Sequence, residues 1–241
     1  MTEYAGKGDQ RRSMALLWGR WEPAARGPKQ ALSVDEVVTA AVELADREGL
    51  DAVSMRKVAA RLGKSAMALY TYVPGKAELV ELMLDRVLGE LAVGHPLDRG
   101  WRPAVEAMAR DLWALYDRHP WVLQISGARA LLSPNELRHA EEAYRLFDHA
   151  GLTPTEVVRA VDVLEGFVRG CAKAVADART AEQATGVSEE DWWYERSAIL
   201  EELTADLDWS TAFPTLRRLE DAGAFAQGDA PPDAEGYMVQ E

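Results

Sequence analysis

The stretch "VSMRKVAARLGKSAMALYTYVPGKAEL", residues 53–79, decides the fold. Val58 and Ala59 stand four and three residues before Leu62, the spacing of one helix face. "LGKS" (62–65) then interrupts the pattern with a glycine, and a second short apolar set, Leu69 and Val73, follows it. Two short helices joined by so brief a glycine turn are a helix-turn-helix, a device that lays its second helix across the major groove of DNA. Ser65, Ala66, Met67 and Ala68 are not needed inside, and Tyr70 and Tyr72 follow them. Small residues let a helix backbone sink towards base edges, and methyl groups meet thymine methyls there. A phenol at the flank can donate to a phosphate, which sets register without reading sequence. Lys76, near the start of the next helix, can do the same with help from the helix N-terminus.

Outward from this stretch the chain is read as helix after helix, so the predicted class is all-α. "SVDE" at Ser33 is a capping box, with Glu36 three residues on. "SPNE" at Ser133 and "TPTE" at Thr153 repeat the pattern with proline at the first helical position. "SEED" at Ser188 opens an acid-rich first turn, and Gly49, Gly63 and Gly151 sit where helices end. Helices are predicted over about 33–48, 54–62, 65–72, 74–92, 101–118, 121–128, 134–150, 154–180, 189–206 and 211–225. Grouped, these give a flexible basic arm (1–32), a helix-turn-helix head (33–78), a helical regulatory body (79–225) and a loose tail (226–241). Three short helices bury little surface alone, so the head is expected to lean on the body through the helix after Pro74.

Charge supports the division. The net charge of −13 argues against a general nucleic-acid binder. Residues 1–76, however, hold 12 Lys/Arg against 9 Asp/Glu, and the remainder 15 against 31. A mildly basic head on an acidic body is what a DNA reader with a separate regulatory part shows. No apolar run approaches the roughly 18 residues that span a bilayer. The single cysteine, Cys171, permits no internal disulfide, which fits a reducing cytoplasm. No nucleophile has a plausible base, no histidine has ligand spacing to another, and no glycine-rich phosphate loop exists. Neither enzyme activity, nor a metal, nor a cofactor is expected.

"VSMRKVAARLGKSAMALYTYVPGKAELVELML" (53–84) resembles the DNA-binding head of the TetR family of transcriptional repressors, and the likeness runs from residue 33 to about 85. It implies that Arg56 touches a base or phosphate and that Ser65, Ala66, Met67 and Ala68 face the groove. Tyr70, Tyr72 and Lys76 then anchor phosphates. Few hydrogen-bonding side chains face the groove, so specificity leans on methyl contacts, Arg56, Lys64 and DNA shape. Arg11, Arg12, Arg20, Arg26 and Lys29 of the arm are either further contacts or solvated charge.

Residues 119–172, with "HPW", "SPN" and "GFVRGCA" in order, resemble the C-terminal domain of the tetracycline-responsive branch. The resemblance implies a small-molecule inducer and a homodimer on a double-stranded, pseudo-palindromic operator. Gly166 and Gly170 share a helix face with Val163 nearby; they mark either the dimer seam or tight packing within one subunit. Candidate inducer contacts are Met108, Trp113, Tyr116, His119, Trp121, Gln124, Glu165 and Phe167, with Arg129 beside them and Trp192 and Trp193 as a lid. His119 falls at the position of that branch's inducer-linked metal ligand, but its own sequence reads as a histidine capping a helix before Pro120. The chain stops after "DAEGYMVQE", about where the branch begins a final dimer helix. A second reading stays open: a helical small-molecule binder without DNA recognition.

Overall fold

The computed structural model describes residues 9–21 and 32–225. The order is α1 (Gln10–Leu17), α2 (Val34–Glu48), α3 (Met55–Arg61), α4 (Ala66–Leu69), α5 (Lys76–Leu88), α6 (Trp101–Arg118), α7 (Pro134–Asp148), α8 (Pro154–Thr185), α9 (Glu189–Leu203), α10 (Trp209–Ala212) and α11 (Pro214–Asp221), with 3-10 turns at Leu50–Ala52 and Pro120–Gln124. Among the described residues no helix is long and apolar enough to cross a membrane. Two compact units divide at Ala172/Lys173, inside α8. The division falls far beyond residue 78, because the head is packed onto α5 and onto His119 and the Pro120–Gln124 turn rather than standing apart.

Local chemistry sets the helix starts. Ser33 accepts from Glu36 N–H while the Glu36 carboxylate accepts from Ser33 N–H, a complete capping box. Ser133 accepts from Glu136 N–H. The Glu136 carboxylate does not close a second box; it accepts from the backbone N–H of Leu131 and Leu132 and folds the preceding loop onto its own helix.

Four expectations are corrected. Gln10–Leu17 is not a flexible arm: Asp9 caps it by accepting from Arg12 N–H, and Ser13, Leu16 and Leu17 are buried. Trp18 then donates its indole N–H to the Leu132 carbonyl at 3.1 Å. The helix expected over 121–128 is only a 3-10 turn, because Arg169 from α8 takes the carbonyls of Val122, Leu123 and Ile125 at 3.4, 3.2 and 2.5 Å. Those carbonyls are satisfied without a following helical turn. The helix expected over 211–225 is two, since Pro214 has no N–H with which to continue α10. Pro74 likewise shortens α4: Val73 ahead of it is excluded from helical backbone, and residues 70–73 tighten into bonds to Ala66, Ala68 and Leu69. The tail 226–241, with Arg26 and Lys29, lies outside the described residues.

In the first unit α6, α7 and α8 close on Ala104, Val105, Met108, Ala143, Leu146, Phe147, Val157 and Val161. A polar knot ties α6 to α7 at one edge. Glu142 Oε1 takes His95 N–H at 2.8 Å and faces His95 Nδ1 at 2.7 Å, while Arg145 brackets both Glu142 oxygens. His95 Nε2 faces Asp111 at 3.1 Å. Burial alone would raise the Glu142 carboxyl, but hydrogen bonds from Arg145, His95 and the backbone of Gly94 outweigh it and hold it at about 2.

The second unit is the C-terminal part of α8 followed by α9, α10 and α11. Trp192 and Trp193 meet edge to face, with centroids 5.2 Å apart, and Arg196 lies over Trp192. With Leu200 and Leu203 they line an open groove of about 220 Å³.

Candidate nucleic-acid interface

The head is built by caps and a turn. Ser54 caps α3 through Lys57 N–H at 3.2 Å, and Ser65 caps α4 through Ala68 N–H at 3.3 Å. Between them Gly63 adopts φ +64°, left-handed backbone that a residue with a Cβ resists. That conformation lets Lys64 N–H return to the Ala59 carbonyl at 2.9 Å and ends α3 sharply. Val58, Leu69 and Val73 are wholly buried, so the inner side of α4 is fixed against α3.

The outer side is open. Met67 is 75% exposed and Tyr70 45%. Ser65, Lys64 and Arg56 are exposed; Ala66, Ala68, Tyr72 and Lys76 are half-buried. Lys57 and Arg61 are tied to Glu48 and Glu43 of α2 at 3.0 and 2.8 Å. Arg56 and Lys64 carry no such ion pair among the described residues. The surface is therefore a small apolar centre, Ala66–Met67–Ala68, rimmed by two uncommitted cations and two phenols. Lys76 leans inward, Nζ 3.5 Å from the Leu50 carbonyl. Arg12 is not extended outwards either: its guanidinium stacks on Trp21 at 5.0 Å.

Behind this surface a buried junction joins head to body. Asp46 of α2 accepts at one oxygen from His119 Nδ1 and from Trp121 Nε1, both at 2.7 Å. His119 caps α6, is 3% exposed, and turns Nε2 towards Glu90 at 3.3 Å. Arg118 also binds Glu90. Two expected inducer contacts, His119 and Trp121, are thus committed to holding the head.

The other body candidates scatter. Met108 is core. Phe167 is 49% exposed on the α8 face that carries Val163, at 71%, and the exposed Gly166 and Gly170. Among the described residues a Cβ on either glycine meets nothing within 4 Å, so the packing described within this subunit does not explain them. Glu165 faces His139 Nε2 at 3.0 Å. Tyr116 lies under Arg169, and burial pushes its phenol up, so it stays neutral. Trp113 and Gln124 are half-buried. Asp46 and Trp18 are the residues the sequence reading missed; neither stands in a motif, and their partners lie 73 to 114 residues away.

Residues 37–83 match the model of bacterial regulatory proteins of the tetR family, and residues 94–230 match the tetracyclin repressor-like C-terminal domain. The chain is 43% identical over 221 residues to the HTH-type transcriptional repressor DrrR1 of Streptomyces coeruleorubidus, covering 91% of this chain and 80% of that one. It is 34% identical to an HTH-type transcriptional regulator of Saccharopolyspora erythraea, over 78% of this chain and 76% of the relative. Among solved structures it is similar to the TetR family protein ActR of Streptomyces coelicolor in complex with actinorhodin, at 30% identity and TM-score 0.66, covering 83% of this chain and 88% of that one. A cap-anchored helix-turn-helix on a helical body, matched at both ends by these models, makes the chain a member of the tetR family of bacterial regulatory proteins.

Proposed function

We propose that the protein is a ligand-responsive repressor, working in the cytoplasm as a homodimer on a pseudo-palindromic operator. One observation carries the reading: α4 is buried on its inner side and presents Met67, Tyr70 and the flanking Lys64 and Arg56 outward. The relative named as a repressor supports the direction of control, and the relative that holds actinorhodin supports a small-molecule effector. The effector is assigned to the body beside Trp113, Tyr116, Gln124 and Glu165. An effector that binds the DNA-incompetent arrangement better lowers operator affinity by that difference. The Asp46–His119–Trp121 junction is the contact through which the body sets the head.

Selection from a random duplex pool tests the reading. An enriched inverted repeat with half-sites about one helical turn apart is expected, with affinity falling steeply as salt rises. A pool that shows no enrichment at low salt overturns it in favour of a binder without DNA recognition. Tyr70→Phe should weaken binding to every sequence by about 1 kcal/mol, the worth of one hydrogen bond. Unchanged affinity would mark Tyr70 as packing. Met67→Lys should change which bases the selection returns, and an unaltered motif would move the readout to Arg56 and Lys64. The exposed strip Val163–Gly166–Phe167–Gly170 is the proposed seam between subunits. Phe167→Glu should therefore convert dimers to monomers in sedimentation, and a dimer of undiminished affinity would remove this strip from the interface.

A further inference from the structure

Met67 stands 75% exposed at the centre of the outer face of α4. The other described methionines are sheltered: Met55, Met83 and Met108 are 5%, 0% and 2% exposed, and Met14 is half-buried. A flexible apolar side chain gains little by packing in so open a place. Leu69 and Val73 inside, the Ser65 cap and the Gly63 turn hold α4 without it. The thioether can therefore change chemically while the helix stays folded. Cys171 is a poor competitor for an oxidant. It is half-buried, and burial pushes its thiol up, so little reactive thiolate is present at neutral pH.

The reaction is set by the thioether. Its sulfur lone pair attacks a peroxide oxygen, the O–O bond breaks and an S–O bond forms, and the second oxygen leaves as water with both protons. Sulfur loses two electrons and the peroxide gains them. We infer that Met67 is a redox modification site, oxidised by hydroperoxides to the sulfoxide, and that the sulfoxide switches off operator binding. The second half of this inference rests on the operator reading above. A thioether is apolar and at most a weak acceptor, whereas a sulfoxide is polar. Beside a thymine methyl its oxygen gives up water and meets no donor, the costly condition for a polar group. A sulfoxide reductase returns the side chain to the thioether, so the change is reversible.

The test uses the full chain at neutral pH, hydrogen peroxide as the probe, and an operator duplex obtained by selection. Digestion and mass spectrometry follow each methionine, and fluorescence anisotropy follows the duplex. Met67 should gain one oxygen roughly tenfold faster than Met55, Met83 or Met108, and bound operator should shield it. Oxidised protein should bind the duplex roughly ten- to a hundredfold more weakly, with unchanged circular dichroism, and methionine sulfoxide reductase with dithiothreitol should restore binding. Met67→Leu should bind alike before and after peroxide, Met67→Gln should bind weakly without any, and Cys171→Ser should respond as the natural chain does. The assignment is overturned if Met67 oxidises no faster than the buried methionines, or if bound operator leaves its rate unchanged. It is equally overturned if a chain oxidised at Met67 binds undiminished, or if Met67→Leu loses affinity as the natural chain does. A natural chain that selects no operator before peroxide is added is a separate failure, that of the operator reading, and the switch falls with it.

Discussion

Asp46→Ala is expected to cost the folded protein about 3 kcal/mol or more. The reason is asymmetry. Asp46 sits about a quarter exposed at the body edge of α2, but the groups it serves, His119 and Trp121, are 3% and 2% exposed. Truncation leaves two buried N–H donors without an acceptor, and each costs about 1–3 kcal/mol. His119 keeps only its longer contact to Glu90. Asp46→Asn retains an oxygen that accepts both donors and loses only the charge, so about 1 kcal/mol is expected. Urea unfolding of both variants, followed by tryptophan fluorescence, separates the cases. Equal losses in the two would mean that charge, and not satisfaction of the two donors, holds the junction. Operator affinity should fall in the same order, because the junction fixes the head on the body.

The second large effect appears in acid. Glu142 is held at about 2 in the folded protein, against an ordinary value of 4.5. A depressed carboxyl contributes stability that is fully present above the unfolded value and is lost as pH falls through the folded one. The window is therefore pH 4.5 down to 2. The whole shift is worth roughly 3 kcal/mol, of which about 2 kcal/mol is gone by about pH 3. Arg145, raised chiefly by the same hydrogen bond, is the other side of one interaction and adds nothing further. In Glu142→Gln the loss between about pH 5.5 and 3 should shrink by that 2 kcal/mol, whatever the variant's stability at neutral pH. Parallel slopes for variant and natural chain would remove Glu142 from the account of acid unfolding.

What was legible in the sequence was local. Ser33 with Glu36 and the glycine at 63 are decided within four residues of themselves, so the starts of the head's helices were readable to within a residue or two. The departures have long-range causes. Nothing near Val122 announces that a guanidinium 47 residues away will take its carbonyl and stop a helix there. Glu136 completes a capping-box pattern on paper, but the loop before it competes for the carboxylate and wins. No local pattern gives Trp18 a role, because its acceptor lies 114 residues on. Composition misled most in the body: aromatics and a histidine clustered near residue 119 suggested a pocket, yet two of them serve a carboxylate on the head. Periodicity names which residues are inside, and it is silent on which of them face a cavity.

The outward face of α4 carries a further consequence for what counts as a letter in the operator. Ala66, Met67 and Ala68 offer methyl, methylene and thioether surface, with no side-chain donor and only a weak acceptor in the thioether sulfur. Such a face senses the methyl carbon on a pyrimidine rather than the hydrogen-bond pattern beside it. A cytosine methylated at C5 carries that carbon where thymine does. Within the reading proposed above, a methylated cytosine and a thymine present the same carbon at positions under Met67.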